Sequence, residues 1–338
     1  MVHALDHITP LTWRRTSSED LPALAELLDA IAYIDGLSAP MDAAEASQML
    51  LHAEGRSDCE LLIGLDSDVP VGIAWLVGHD LTATNGDAPS WRARLVSELH
   101  PAYRHQQIGR KALEWLMQAA RETFLNAHQH AEATMDLQVL VDDRWQRRMF
   151  SLTDLGLKPL RWFVDMHTEF DVDGTAVPAL DGIEIRPFSA DLADEVRQTH
   201  NAAFATRELS RPIGPVQWYE SLSRVDSRPE WSWVAVAEGQ VVGYALNSVV
   251  EWAPDEAEGW TDRLGTLPDW RGFGIARTLL LASLASFEKA GMVGGGLGVD
   301  SEVGPEGLGL YRSIGYESSE IIVQFGRTET VAEALHLL

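Results

Sequence analysis

The chain has 338 residues, 46% of them hydrophobic, and 51 acidic against 26 basic side chains give a formal net charge of −25. That length holds two domain cores, and so negative a surface excludes binding along a nucleic-acid backbone, which needs clustered lysine and arginine to displace counterions. Cys59 is the single cysteine, which excludes an internal disulfide and a thiolate-rich zinc site. Residues 1–15 contain no apolar run of useful length, and no stretch approaches the length needed to span a bilayer. A cytoplasmic protein with no membrane partner is therefore expected.

In chain order, Trp13-Arg14-Arg15 reads as a strand, and residues 20–32 as a helix opening near Ser18 as its cap. Residues 61–76 alternate around a turn and predict a hairpin. A motif strand ending before Pro101, a helix, a strand over 135–141, a short helix and a closing strand over 161–170 follow. Residues 171–181, in a stretch with Gly174 and Pro178 among small and acidic residues, read as a linker.

The series then recurs. Arg15 and Arg186 stand 186 − 15 = 171 apart, as do Gly72 and Gly243, each within a two-strand hairpin pattern. Pro101-Ala102-Tyr103-Arg104 matches Pro268-Asp269-Trp270-Arg271 at 268 − 101 = 167, and Leu155-Gly156-Leu157 matches Ile314-Gly315-Tyr316 at 315 − 156 = 159. Four anchors in one order, drifting only by loop lengths, predict two copies of one fold, 1–170 and 182–338, joined over 171–181. The second copy predicts a helix over 191–204, a hairpin over 233–246, a motif strand over 260–267 and strands over 296–300 and 321–327.

The richest stretch is Arg271-Gly272-Phe273-Gly274-Ile275-Ala276. It lies between the motif strand and a helix in which Ile275, Leu279, Ala282 and Ala285 form one apolar stripe. The first N–H groups of a helix lack internal partners and sit at the positive end of its dipole, so a phosphate can dock on bare backbone there. Arg271 would add a cation at the entrance. Downstream, Leu310-Tyr311-Arg312-Ser313-Ile314-Gly315-Tyr316 forms an L-Y-x-x-x-G-aromatic run.

These two motifs, in this order, resemble those of the GCN5-related N-acetyltransferases (GNAT). The resemblance covers nearly the whole chain as a tandem and implies a mixed α/β (α+β) architecture of two such folds. It implies acetyl-CoA as co-substrate and no metal. Its pyrophosphate would sit on Arg271, Gly272, Phe273, Gly274, Ile275, Ala276 and Arg277, and its pantetheine arm on a bulge mapped to Leu264, Gly265 and Thr266. Gly265 equally suits a strand glycine that gives room to a neighbouring aromatic. In the family the tyrosine of the closing motif can protonate the leaving thiolate, a role falling here on Tyr311; a half-buried tyrosine packing on the sheet is the other reading.

Transfer of acetyl to an amine needs a proton acceptor for the attacking nitrogen. Family members often place it on or before the motif strand, where Glu251, Glu256, Glu258 and Asp262 stand; Asp262 is the first choice and Glu258 the second. The acceptor, a small-molecule amine, would meet Trp218, Tyr219 and Trp252, with Arg207 and Arg211 nearby. In the first copy His105 and Gln107 replace Gly272 and Gly274, and Leu152 replaces Tyr311. That copy is expected to be degenerate, a scaffold or substrate wall, and 182–338 catalytic. A non-catalytic acyl-CoA sensor is the alternative, and Tyr311 discriminates between the two. His128-Gln129-His130 follows a helix without a matching cysteine or carboxylate motif and reads as a solvated turn, not as metal ligands, and Gly294-Gly295-Gly296 reads as a turn entering a strand.

Overall fold

Two series of elements follow one another in the same order. They are described in a computed structural model over residues 10–35, 56–81, 90–128, 132–170, 176–206, 212–253, 256–301 and 308–338. The first runs β1 (Thr12–Arg15), α1 (Leu21–Asp35), β2 (Cys59–Asp66), β3 (Val69–Leu81), β4 (Ser90–Leu99), α2 (Ile108–Ala127), β5 (Thr134–Asp142), α3 (Gln146–Asp154) and β6 (Lys158–Glu169). The second runs β7 (Glu184–Pro187), α4 (Ala193–Phe204), α5 (Pro215–Leu222), β8 (Trp233–Ala237), β9 (Gln240–Ala253), β10 (Glu256–Thr266), α6 (Ile275–Lys289), β11 (Gly294–Ser301), α7 (Gly309–Arg312) and β12 (Glu317–Thr330). Helix α8 (Val331–His336) follows.

The local signals act where the sequence puts them, within a residue or two. Ser17, not Ser18, stands at the start of the first helical segment, and its N–H and hydroxyl both reach the Asp20 carboxylate, at 2.8 and 3.0 Å. Arg14 grips the same carboxylate through both terminal nitrogens, at 2.6 and 2.7 Å. This pairing holds the Asp20 carboxyl well below the ordinary carboxylate range. In α6, Ile275 and Leu279 are buried against Val242 and Ala245 of β9, which is the apolar stripe at work.

The chain divides into two compact units, and their boundaries depart from the expected cut at 171–181. One unit comprises residues 1–160 with 322–338, the other 161–321. In the first, β1 through β4 are antiparallel neighbours, β4 and β5 pair in parallel, and the last strand beside β5 is β12. In the second, β7 through β10 are antiparallel, β10 and β11 pair in parallel, and the strand beside β11 is β6. Each half therefore closes with the other's last strand.

Ion pairs between elements, one of them buried, secure these pairings. On β12, Glu329 is 1% exposed and takes both Arg121 nitrogens at 2.9 Å, with Arg327 donating to it as well. On β6, Arg161 meets Asp300 of β11 at 2.6 Å and His167 meets Glu258 of β10 at 2.8 Å. Placing β6 beside β5 would take Arg161 and His167 from these acids, and a buried charge without its partner is costly. No helix among the described residues is long and apolar enough to cross a membrane.

The His167–Glu258 contact makes stability depend on pH. Its hydrogen bond to Glu258 raises the His167 pKa above the ordinary 6.5. The contribution is thus complete below about pH 6.5 and is lost as pH rises through the higher folded-state value. Urea unfolding midpoints between pH 6 and 9 should fall more steeply in the native protein than in His167→Gln.

Candidate active site

Strands β10 and β11 pair only over Gly259–Thr261 with Gly295–Leu297, although β10 continues to Thr266 and β11 to Ser301. Beyond those pairs a cavity of about 490 Å³ opens, lined on one side by residues 261–264 and on the other by residues 297–300 and Tyr311. Parallel strands that separate leave main-chain groups unpaired, and such groups need a partner from side chain, water or ligand. An irregularity in β10 accompanies the opening: Thr261 pairs with Asn247 but Arg263 with Leu246, so Asp262 is an extra residue.

That bulge corrects the sequence expectation, which put it at Leu264, Gly265 and Thr266. Those three pair regularly with Ala245, Tyr244 and Gly243. Gly265 is there for the aromatic: a Cβ would stand 2.6 Å from the Tyr244 ring. Leu264 still lines the cavity. The Thr261 hydroxyl at the bulge is buried and has no partner among the described residues.

The glycine turn has the geometry the motif implies. Gly272 and Gly274 adopt φ +84° and +83°, and a Cβ on Gly272 would meet nothing within 4 Å. Gly274 caps α6, and the first helical hydrogen bond runs from Thr278 N–H to its carbonyl, 3.0 Å. The N–H groups of Ile275, Ala276 and Arg277 thus end the helix without an internal acceptor. Phe273 is 60% exposed, Arg277 is exposed, and Ile275 is anchored in the core.

Arg271 differs from expectation. Its guanidinium is committed to main-chain carbonyls, Nη2 to Ala203 at 2.7 Å and Nε to Thr266 at 3.4 Å, so it braces the end of α4 against the end of β10. Arg104 does the same in the first unit, Nε to the Leu99 carbonyl at 3.1 Å and both terminal nitrogens to Asp35 at 2.7 Å. The repetition identifies a structural brace, a role a motif reading by itself misses.

The titratable residues separate. Tyr311 is half-buried and lines the cavity with Asp262. Asp262 Oδ1 accepts from Arg224 at 3.1 Å, and Arg224 is held in turn by Asp226 at 2.7 Å. Glu258, the second choice for the base, is 5% exposed, bound to His167 and outside the cavity lining. Alternation along a strand with a bulge at 262 puts it beneath the sheet surface that opens. His200 of α4 also lines the cavity and was not anticipated; only a histidine on an otherwise apolar helix face hinted at it. Burial, with Arg263 nearby, pushes it down to about 4, so it is neutral near pH 7, and Nδ1 lies 2.5 Å from the Tyr244 hydroxyl.

Of the expected acceptor residues, Trp218 and Tyr219 are absent from the cavity lining. Trp218 is 0% exposed and packs in the core against His200 and Tyr244. Its amphipathic helix turns that ring inward, leaving Tyr219 49% exposed and away from the cavity lining. The Trp252 side chain and all of Arg207 and Arg211 lie outside the described residues. So do Gln129 and His130, while His128 meets Asp80 at 2.8 Å; no cluster of metal-ligating side chains occurs among the described residues.

In the first unit the corresponding strand edge is partnered from within. Strand β4 has no bulge against β3. At the offset that matches Pro101 to Pro268, Ser97 stands for Leu264 and Glu98 for Gly265. Arg148 of α3 donates to the Ser97 carbonyl at 2.9 Å and to Glu98 at 2.8 Å. Gln107 holds the left-handed cap position, φ +59°, with a side chain where Gly274 has none. Leu152 is fully buried.

A cleft between parted parallel strands, a bare glycine turn at a helix start and a phenol in the same cavity are the features expected of an acyltransferase, and the comparisons support that class. Residues 229–318 match the Acetyltransferase (GNAT) domain family. The chain is similar to the Mycothiol acetyltransferase of Thermobifida fusca (strain YX), 28% identical over 349 residues that span 96% of this chain and 98% of that one. Its fold is that of a GCN5-related N-acetyltransferase from Sphaerobacter thermophilus (TM-score 0.67, 21% identity, 95% of this chain and 96% of that one). It is likewise that of a tandem GNAT protein from the clavulanic acid biosynthesis pathway (TM-score 0.59, 17% identity, 95% and 98%). These likenesses support an acyltransferase, with the match to the acetyltransferase domain confined to residues 229–318.

Replacing Gly274 by Gln, the residue of the first unit, should weaken acetyl-CoA binding at least about tenfold by obstructing the helix start. Calorimetric titration measures that loss. The melting temperature should move by only a few degrees, since Gln107 already occupies this conformation in the other unit.

Proposed function

We propose that the cavity of residues 161–321 transfers an acetyl group from acetyl-CoA to the primary amine of a small molecule by direct attack. The observation that carries this reading is the shared cavity of Asp262 and Tyr311, opening where β10 and β11 part. The exposed turn at Gly272 and Gly274 supports a seat for the coenzyme diphosphate, since a Cβ on Gly272 would meet nothing within 4 Å and one on Gly274 would meet only Leu180, at 3.5 Å. The full-length likeness to a Mycothiol acetyltransferase supports a small acceptor.

Each step has a residue. The acceptor attacks as the free amine, and Asp262, whose carboxylate is oriented by Arg224, takes the proton that the nitrogen sheds as its new bond to carbon forms, directly or through one water. The nitrogen lone pair attacks the thioester carbonyl. As the tetrahedral intermediate collapses, the C–S bond breaks and the Tyr311 hydroxyl gives its proton to the thiolate. Unpaired main-chain N–H groups where β10 departs from β11 stabilise the oxyanion. The first unit, with Arg148 on its strand edge, Gln107 at its turn and Leu152 for the phenol, serves as scaffold.

Two substitutions test the assignment. Tyr311→Phe should lower kcat for thiol release by roughly a hundredfold with little change in the KM for acetyl-CoA, the size expected for loss of a general acid. Asp262→Asn should remove the acidic limb of the kcat/KM profile, whereas Glu258→Gln should retain it. A native protein that binds acetyl-CoA yet acetylates no amine would replace the enzyme by an acyl-CoA sensor.

A further inference from the structure

Thr261, Asp262, Arg263 and Leu264 are consecutive, and all four line the cavity. A regular strand sends neighbouring side chains to opposite faces. The extra residue at 262 suspends that alternation, so a carboxylate and a guanidinium adjacent in sequence address the same space.

The lining charges are not balanced in the same way. Arg161 is taken by Asp300 at 2.6 Å, and Arg224 by Asp226 and Asp262 at 2.7 and 3.1 Å. Arg263 is the lining arginine that has no carboxylate or carbonyl partner among the described residues. Its guanidinium carbon lies 5.2 Å from the ring centre of Trp218, a side chain that is itself fully buried. Stacking holds a guanidinium by its face and leaves its edge N–H groups for a planar oxyanion. Trp218 therefore belongs to acceptor recognition indirectly, by fixing the arginine.

Resting on the transferase reading above, we infer that the acceptor is zwitterionic: an amine bearing a carboxylate a few bonds away, in the manner of an amino acid. The carboxylate docks on Arg263 and the nitrogen is presented beside Asp262. Adjacent α-carbons are about 3.8 Å apart, so the two heads suit groups close together on one small molecule. The cavity, about 490 Å³, limits its size.

The test compares thiol release from acetyl-CoA on matched acceptors, the proteinogenic amino acids against their carboxamides and phosphoethanolamine against ethanolamine. Acids should exceed amides in kcat/KM by about 10- to 100-fold, the range of a charge-assisted hydrogen-bonded pair. In R263Q the ratio should collapse toward one, through the KM of the acceptor. R263K, which keeps the charge and loses the planar fork, should retain part of the preference. Amides equal to acids in the native protein would overturn the inference without recourse to a variant. So would a preference confined to phosphoethanolamine, or an R263Q defect lying in the KM for acetyl-CoA. If no amine is acetylated, the transferase reading fails separately. Calorimetric titration of the amino acids then decides: binding present in the native protein and lost in R263Q sustains the carboxylate site, and no binding in either ends it.

Discussion

The separation of two parallel strands is the constraint on which the rest of the second unit depends. Three residue pairs hold β10 to β11, and a bulge at Asp262 then turns β10 away. Main-chain polar groups at such a parting cannot remain buried and unpaired. A ligand can satisfy them, or the protein can. The first unit takes the second course, with Arg148 donating to the Ser97 carbonyl across its own cleft. One fold thus carries a strand edge that opens on a cavity and another that is partnered by a guanidinium of its own unit.

The bulge also governs charge. By bringing four successive side chains to one wall it concentrates ionisable groups that a flat strand would divide between core and solvent. Around the cavity Arg224 and Arg161 are neutralised by aspartates, and Arg263 rests on an indole. His200 stays neutral because it is buried with an arginine nearby. Desolvation and stacking, more than the overall acidity of the chain, set the local electrostatics.

The paired braces show how the duplicated architecture keeps its frame while its chemistry diverges. Arg104 and Arg271 each tie the end of a first helix to the end of a motif strand. Both were retained although the glycines beside one of them were replaced. Exchange of β6 and β12 means that each sheet is completed by residues more than a hundred positions away, secured by Glu329 with Arg121 and by Asp300 with Arg161.

The duplication, the order of elements, the glycine turn and the phenol at 311 were legible in the sequence, because local propensity and motif spacing report on short stretches of chain. Periodicity also found Ile275 and Leu279 correctly. The family resemblance assigned Glu258 and Trp218 to the site, and the structure buries both, because a matched position in a motif says where a residue falls in the chain but not whether its side chain meets core or cavity. The bulge at 262 and not 264 moved with it the identity of the lining residues, and brought in His200 and Arg263. Sequence alone determined the order of elements in each half and the place of the glycine turn. Only tertiary structure decided which strand closes which sheet, where β10 leaves β11, and which arginine is left for a ligand, since each of these is settled by partners distant in the chain competing for the same hydrogen bonds and charges.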